Sequence, residues 1–171
     1  MISRTNQRTR LSNEYKTHIG GQQTINDVQF YWDGYSNKID AVVKGPKNSL
    51  YEGGHFKLIV IVPNNYPFCP PEIKLLTKLY HPGVEDPEQP QPFIFDRYML
   101  NQLWNPAFDI EIMLCQFYAM LMMPGHEHIE QDPDSFEDCP NEISELIKND
   151  VELFKQRARE WTALYAQPPD Q

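Results

Sequence analysis

The residues best equipped for chemistry gather around His81. The stretch LTKLYHPGVEDPEQPQPFIFDRYMLNQLW, residues 76–104, sets His81 and Pro82 ahead of a turn and ends at Trp104. A histidine beside a turn is a place where a nucleophile and a general base can meet. Yet no cysteine, serine, threonine or lysine lies between His81 and Trp104, and on to Asp134 the sole residue of those types is Cys115. Cys115 falls within an apolar stripe of helical spacing, where a cysteine serves as a small core side chain. Acyl transfer through sulfur needs an accessible thiolate, and nothing near His81 supplies one. Cys139 follows Glu137 and Asp138, and neighbouring carboxylates raise a thiol's pKa and deplete its thiolate. With Cys69, the three cysteines show no CxxC spacing. That pattern argues against a disulfide framework or a zinc site and for a reducing compartment. His126, Glu127 and His128 with Glu130 have a spacing that suits metal ligands on a loop, but no distant further ligand is indicated, so a solvated acidic loop is expected and no metal or cofactor.

The elements that must position these residues change character midway. Residues 5–18 are polar with weak helical spacing and end at Gly20-Gly21, a helix stop. Segments of strand character follow at 28–35, 38–45, 55–63 and 72–79, separated by Ser36-Asn37, Gly45-Pro46, Gly53-Gly54 and NNYPFCPP. Along 55–63, Phe56, Leu58, Val60 and Val62 share one face and Lys57, Ile59 and Ile61 the other. Short turns between strands predict an antiparallel meander. Residues 109–122 then carry Ile110, Met113, Leu114, Phe117 and Leu121 at helical spacing, with Asp109 as N-cap, and residues 140–165 again show a helical period. Strands first and helices second is the order of an α+β domain.

The chain of 171 residues suits a single domain over 1–171, with tails at 1–4 and 168–171. No apolar run reaches the ~18–20 residues that cross a bilayer. The net charge of −9 is uneven: residues 1–80 hold ten Lys/Arg against six Asp/Glu, a balance of +4, and residues 81–171 hold five against eighteen, a balance of −13. The acidic half disfavours nucleic acid and suits a basic protein partner or a solvated face. Residues 1–13 contain Arg4, Arg8 and Arg10, with Ser and Thr but no acid, a composition shared with mitochondrial presequences. Their few large apolar residues favour a polar arm or helix, so cytoplasm or nucleus is the default compartment and the mitochondrion the alternative.

In order and spacing, these landmarks resemble the ubiquitin-conjugating (UBC) family. The matching pieces are KGPKNSLYEGGHFKLIVIVPNNYPFCPPEIKLLTKLYHP, then LWNPAFDI, then FKQRAREWTALYA. The resemblance covers about residues 5–167 and implies an N-terminal helix, a four-stranded meander, an active-site segment, and C-terminal helices on one face of the sheet. In the family, HP is followed by an asparagine that stabilises the oxyanion, and a cysteine further on carries ubiquitin as a thioester. Here Gly83 follows His81-Pro82, and the cysteine's place falls on Gln91, Ile94 or Asp96 according to where the count begins. The segment 83–95 is also about three residues longer than the resemblance leads one to expect, stiffened by Pro87, Pro90 and Pro92 and made acidic by Glu85, Asp86 and Glu88.

The resemblance therefore implies a non-catalytic variant that acts by binding proteins: ubiquitin, a catalytic conjugating enzyme or a ubiquitin ligase. Its docking elements would be Phe68, Pro106 and Ala107, with Arg8 on the first helix and the acidic loop. Two alternatives stand beside it, an accessory subunit of a larger assembly and an active enzyme using Cys139. Whether Phe68 and Trp104 form a patch or simply pack the fold stays open at this level.

Overall fold

The computed structural model describes residues 4–20, 26–84, 104–122 and 141–168. Among these the order is α1 (Arg4–Ile19), β1 (Val28–Tyr31), β2 (Lys38–Lys44), β3 (His55–Ile61), β4 (Glu72–Leu75), α2 (Ile110–Met122), α3 (Asn141–Asn149) and α4 (Val151–Tyr165). This is the expected α+β architecture, with helix α1 starting at Arg4, inside the stretch expected as a tail.

The four strands form one antiparallel sheet in sequence order. A single row crosses it, Tyr31 opposite Asp40, Asp40 opposite Ile59, and Ile59 opposite Lys74. Period-two alternation puts Phe30, Ala41, Leu58 and Ile73 on the buried face. On that face lies α2, which buries Ile110, Met113, Leu114, Phe117, Met120 and Leu121. The rings of Phe56 and Phe117 meet at 6.2 Å, nearly edge to face. The strands are shorter than their sequence patterns: β1 stops at Tyr31, because the Asp33 carboxylate accepts from the backbone N–H groups of Tyr35 and Ser36 and closes a turn. Between β2 and β3, Gly45 donates to the Gly54 carbonyl at 2.8 Å. A Cβ at Gly45 would lie 1.6 Å from the Tyr51 carbonyl oxygen, so only glycine permits that approach.

The stretch 140–165, one helical period in sequence, is two helices. Asp150 breaks it: its N–H closes α3 on the Leu146 carbonyl at 2.7 Å, and its carboxylate caps α4 by accepting from Leu153 N–H at 3.0 Å. Helix α4 buries Phe154, Ala158 and Thr162, and the Ala166 carbonyl accepts from His55 N–H at 2.8 Å, fastening its end to β3.

Helix α1 is held by polar anchors. Gln7, 5% exposed, donates to the carbonyls of Val62 and Pro63 at 3.1 and 2.7 Å. His18, 3% exposed, stacks on Phe30 at 4.0 Å and accepts from its backbone N–H at 3.3 Å. Leu11 fills the apolar position between them. Residues 7, 11, 14, 15 and 18 lie on one helical face, three of them polar or charged.

Candidate functional site

Two ends of this scaffold bear on function. At the first, β4 leads into Leu79, Tyr80, His81, Pro82, Gly83 and Val84, all buried. His81 is only 1% exposed. Its Nδ1 accepts from the Gly83 backbone N–H at 2.8 Å, which places the proton of the neutral ring on Nε2. The Val84 N–H donates to the His81 carbonyl at 3.0 Å, completing the turn. The Tyr51 ring packs on the imidazole at 5.7 Å, and its hydroxyl donates to the Tyr80 carbonyl at 3.1 Å. Burial pushes the Tyr51 phenol well above its ordinary range, so it stays a hydrogen-bond donor.

Gly83 is closed in by its neighbours. A Cβ there would stand 3.1 Å from His81 Nδ1, 3.2 Å from Cε1 and 3.5 Å from the Met120 sulfur. His81 and Pro82 thus form a packed turn with no side chain projecting from position 83. Of the remaining sequence candidates, Ile94, Asp96, Glu85, Asp86, Glu88 and Cys139 lie outside the described residues, as do the loop 85–95 and the His126–Glu130 cluster. Cys115 is half-buried on α2, and burial, then the charges of Glu111 and Asp109, push its thiol up to about 11. It is therefore a protonated, partly packed side chain at neutral pH. Among the described residues no group of three His, Cys, Asp or Glu side chains converges as metal ligands, and no helix is long and apolar enough to cross a membrane.

At the second end, two loops meet. One carries Tyr66, Pro67 and Phe68, with a cis Tyr66–Pro67 peptide. The other carries Trp104 to Phe108. The Trp104 indole N–H donates to the Pro67 carbonyl at 2.7 Å, and its ring meets Tyr66 at 6.0 Å and Phe108 at 6.1 Å. Asn105 shapes the second loop, accepting from Ala107 N–H at 2.9 Å through its side chain and from Phe108 N–H at 2.8 Å through its carbonyl. Trp104 and Phe68 therefore separate: Trp104 packs and joins the loops, whereas Phe68 is 61% exposed. Pro106 and Ala107 are exposed beside Phe108, itself 37% exposed.

Arg8 lies apart from this patch. It is exposed, donates to the Tyr35 carbonyl at 3.2 Å, and lines an open cleft of about 630 Å³ with Ser12, Lys16 and Trp32. The basic residue that reaches the patch is instead Arg10, whose guanidinium donates to the Phe108 carbonyl at 3.1 Å and pairs with Glu14. Sequence reasoning passed over Phe108, Tyr66 and Glu14 as contributors. The signal for Glu14 was faint: its i,i+4 spacing from Arg10 is also that of an ordinary exposed ion pair.

The comparisons agree with this geometry. A family model described as "Ubiquitin-conjugating enzyme" matches residues 10–162. "Probable ubiquitin-conjugating enzyme E2 31" of Arabidopsis thaliana is 33% identical over 160 residues, covering 92% of this chain and 92% of that protein. "Ubiquitin-conjugating enzyme E2 N" of Macaca fascicularis is 34% identical over 125 residues, 73% of each chain. The crystal structure of a candidate ubiquitin conjugating enzyme from Plasmodium yoelii superposes with a TM-score of 0.75 at 26% identity, covering 94% of this chain and 97% of that one.

Proposed function

Because the chain belongs to the ubiquitin-conjugating enzyme family, we propose that it is a non-catalytic member that works by docking other proteins, as a ubiquitin-conjugating enzyme variant. The observation that carries this reading is the run from Pro70 to Leu114, which spans the whole approach to and departure from His81-Pro82 and contains no cysteine. Gly83 supports it too, since glycine carries no side chain to donate to an oxyanion, and a Cβ there would crowd the His81 ring at 3.1 Å. The exposed set Phe68, Pro106, Ala107 and Phe108 supports the docking half, because apolar side chains held in water on two braced loops gain free energy when a partner covers them. The partner class this favours is a ubiquitin ligase or a catalytic conjugating enzyme.

The test is charging. The chain is incubated with activating enzyme, ATP and ubiquitin and separated on a non-reducing gel. The expected result is no reducible ubiquitin adduct. An adduct that disappears in Cys139→Ala overturns the proposal and makes the chain an enzyme. Affinity purification from the native source checks the partner half. Recovery of ubiquitin, a conjugating enzyme or a ligase supports it, and a fixed assembly without any of these replaces it with an accessory-subunit role.

A further inference from the structure

We propose that Glu14 is the positioning residue of the docking surface: a single carboxylate on α1 fixes the Phe68 loop and the Phe108 loop relative to one another. The inference rests on the docking reading above for its purpose, but its geometry stands alone.

Glu14 is largely withdrawn from solvent, its side chain 8% exposed. It gathers donors from three separate parts of the chain. The Tyr66 hydroxyl, from the first loop, lies 2.8 Å from Oε1 and 3.0 Å from Oε2. The Ile110 N–H, at the start of α2 directly behind the second loop, donates to Oε2 at 3.2 Å. The Arg10 guanidinium, one turn back on α1, donates to Oε1. A carboxylate can accept about four hydrogen bonds, so these donors use most of its capacity.

The contacts close a circuit. From Glu14 it runs to Tyr66 and along the chain to the Pro67 carbonyl, which the Trp104 indole holds. From Trp104 it continues to Phe108, whose carbonyl accepts from Arg10, and Arg10 returns to Glu14. Every residue of the patch sits on this ring or directly beside it. Without Glu14, the circuit keeps the Trp104–Pro67 bond and the Tyr66–Trp104 ring contact between the two loops but loses its anchor to α1 and to the start of α2. Burial raises the Glu14 carboxyl above its usual range, against the opposing pull of Arg10, Tyr66 and the Ile110 N–H. Such a group is costly to keep buried on packing grounds alone.

Glu14→Gln keeps the shape but turns one acceptor oxygen into an NH2 donor, so either the Arg10 guanidinium or the Ile110 N–H loses its acceptor and the circuit weakens without leaving a hole. Tyr66→Phe cuts one link and serves if Glu14→Gln fails to fold. Ile143→Ala, which truncates a buried side chain on α3, is the control for a loss of stability. Amide resonances of Phe68, Ala107 and Phe108 and the Trp104 indole resonance report the loops. An isolated RING domain of a ubiquitin ligase is the binding probe. In Glu14→Gln the Phe68 and Phe108 signals should move together, indole hydrogen exchange should quicken about tenfold, and the RING domain should bind about tenfold more weakly. Ile143→Ala should change none of the three. Unmoved loop signals in Glu14→Gln, or equal movement in Ile143→Ala, overturn the inference. If both loops move but the wild-type chain takes no RING domain, the positioning role stands and ligase docking falls.

Discussion

Replacing Gly83 with asparagine puts back the residue that the resemblance places after His-Pro, and it adds a Cβ that crowds the His81 ring. A Cβ at position 83 falls 3.1 Å from His81 Nδ1 and 3.2 Å from Cε1, inside ordinary van der Waals separation. The imidazole cannot simply swing away, because its Nδ1 holds the Gly83 N–H at 2.8 Å and the Tyr51 ring packs beside it. The Met120 sulfur, on a side chain 7% exposed, lies in ordinary contact at 3.5 Å from that Cβ, so the amide enters a packed surrounding. Restricting the unfolded chain by removing a glycine returns about 0.4–1 kcal/mol. Overpacking costs about 1–3 kcal/mol, and an imperfectly paired buried amide about 1–3 kcal/mol more. The overpacking and desolvation win, for a net loss of about 1–5 kcal/mol with a middle near 3. In a domain of this size that middle value corresponds to a melting temperature lower by about 6–12 °C. Gly83→Ala, which adds the Cβ alone, should lose about 1 kcal/mol or less, since strain and entropy nearly cancel. Urea denaturation of the three proteins measures the series. A Gly83→Asn protein as stable as wild type would refute the closed-pocket argument, because it would mean that His81 and Met120 yield freely. On the proposed non-catalytic reading, Gly83→Asn should still form no adduct in the charging assay, since an oxyanion donor without a thiolate has nothing to stabilise.

Two further outcomes follow from the geometry. Phe68→Ala should leave stability within about 0.5 kcal/mol, because the ring is 61% exposed, while weakening a RING-domain complex by about 1–3 kcal/mol. A denaturation loss as large as that of a core truncation would return Phe68 to a packing role. The second outcome concerns pH and Glu14, which faces Arg10 on its own helix, Tyr66 from the loop and the N-terminal amide of α2. Its folded pKa is raised above the ordinary 4.5, burial being the largest cause. The proton is therefore held more tightly in the folded state. The stabilisation this gives is full below 4.5 and is lost as pH rises through the folded value. The stability of the wild type minus that of Glu14→Gln should accordingly fall as pH rises across that window. A difference that grows with pH would mean that Arg10 and the hydrogen bonds outweigh burial.

What was legible in the sequence tracks which interactions are apolar. Strand β3 announced itself by Phe56, Leu58, Val60 and Val62, and all four are buried. Helix α2 announced itself by the stripe from Ile110 to Leu121, with Asp109 accepting from Ile112 N–H at 2.8 Å as the foreseen cap. Helix α1 looked weak because its inward face presents Gln7, Glu14 and His18, whose partners, Arg10 apart, are backbone groups and side chains 12 to 96 residues away. Hydrophobic periodicity cannot register a face stabilised by satisfied hydrogen bonds. The same limit hid Asp150, since the apolar spacing continues across it while its backbone leaves the helix. At the docking end, Phe68 and Trp104 are both aromatics beside prolines. Only the Trp104 indole, with a donor that finds the Pro67 carbonyl, is drawn into the fold.

The two ends of the scaffold now differ in a way that bears on why the chain keeps this fold. Around His81 the polar group that remains is enclosed: the imidazole is turned toward a backbone N–H, and the next position is a glycine at which a Cβ would crowd that ring. Around Phe68 the reverse holds, with an exposed ring on a loop braced by a buried carboxylate, an indole and a guanidinium. Glu14 is buried while its partner Arg10 is about a third exposed, and a carboxylate withdrawn from water in such a pair is often replaceable by an apolar residue with little loss of stability. Stability alone therefore gives little reason to hold Glu14 and Arg10 beneath two loops whose outer side chains face water. A surface that must present Phe68, Ala107 and Phe108 in one fixed arrangement does give a reason, because directional hydrogen bonds specify geometry where apolar packing tolerates alternatives. On the proposed reading, the chemistry at His81 has been given up while the geometry at Phe68 has been kept, and the cost of that geometry sits in the one helix whose sequence looked least like a helix.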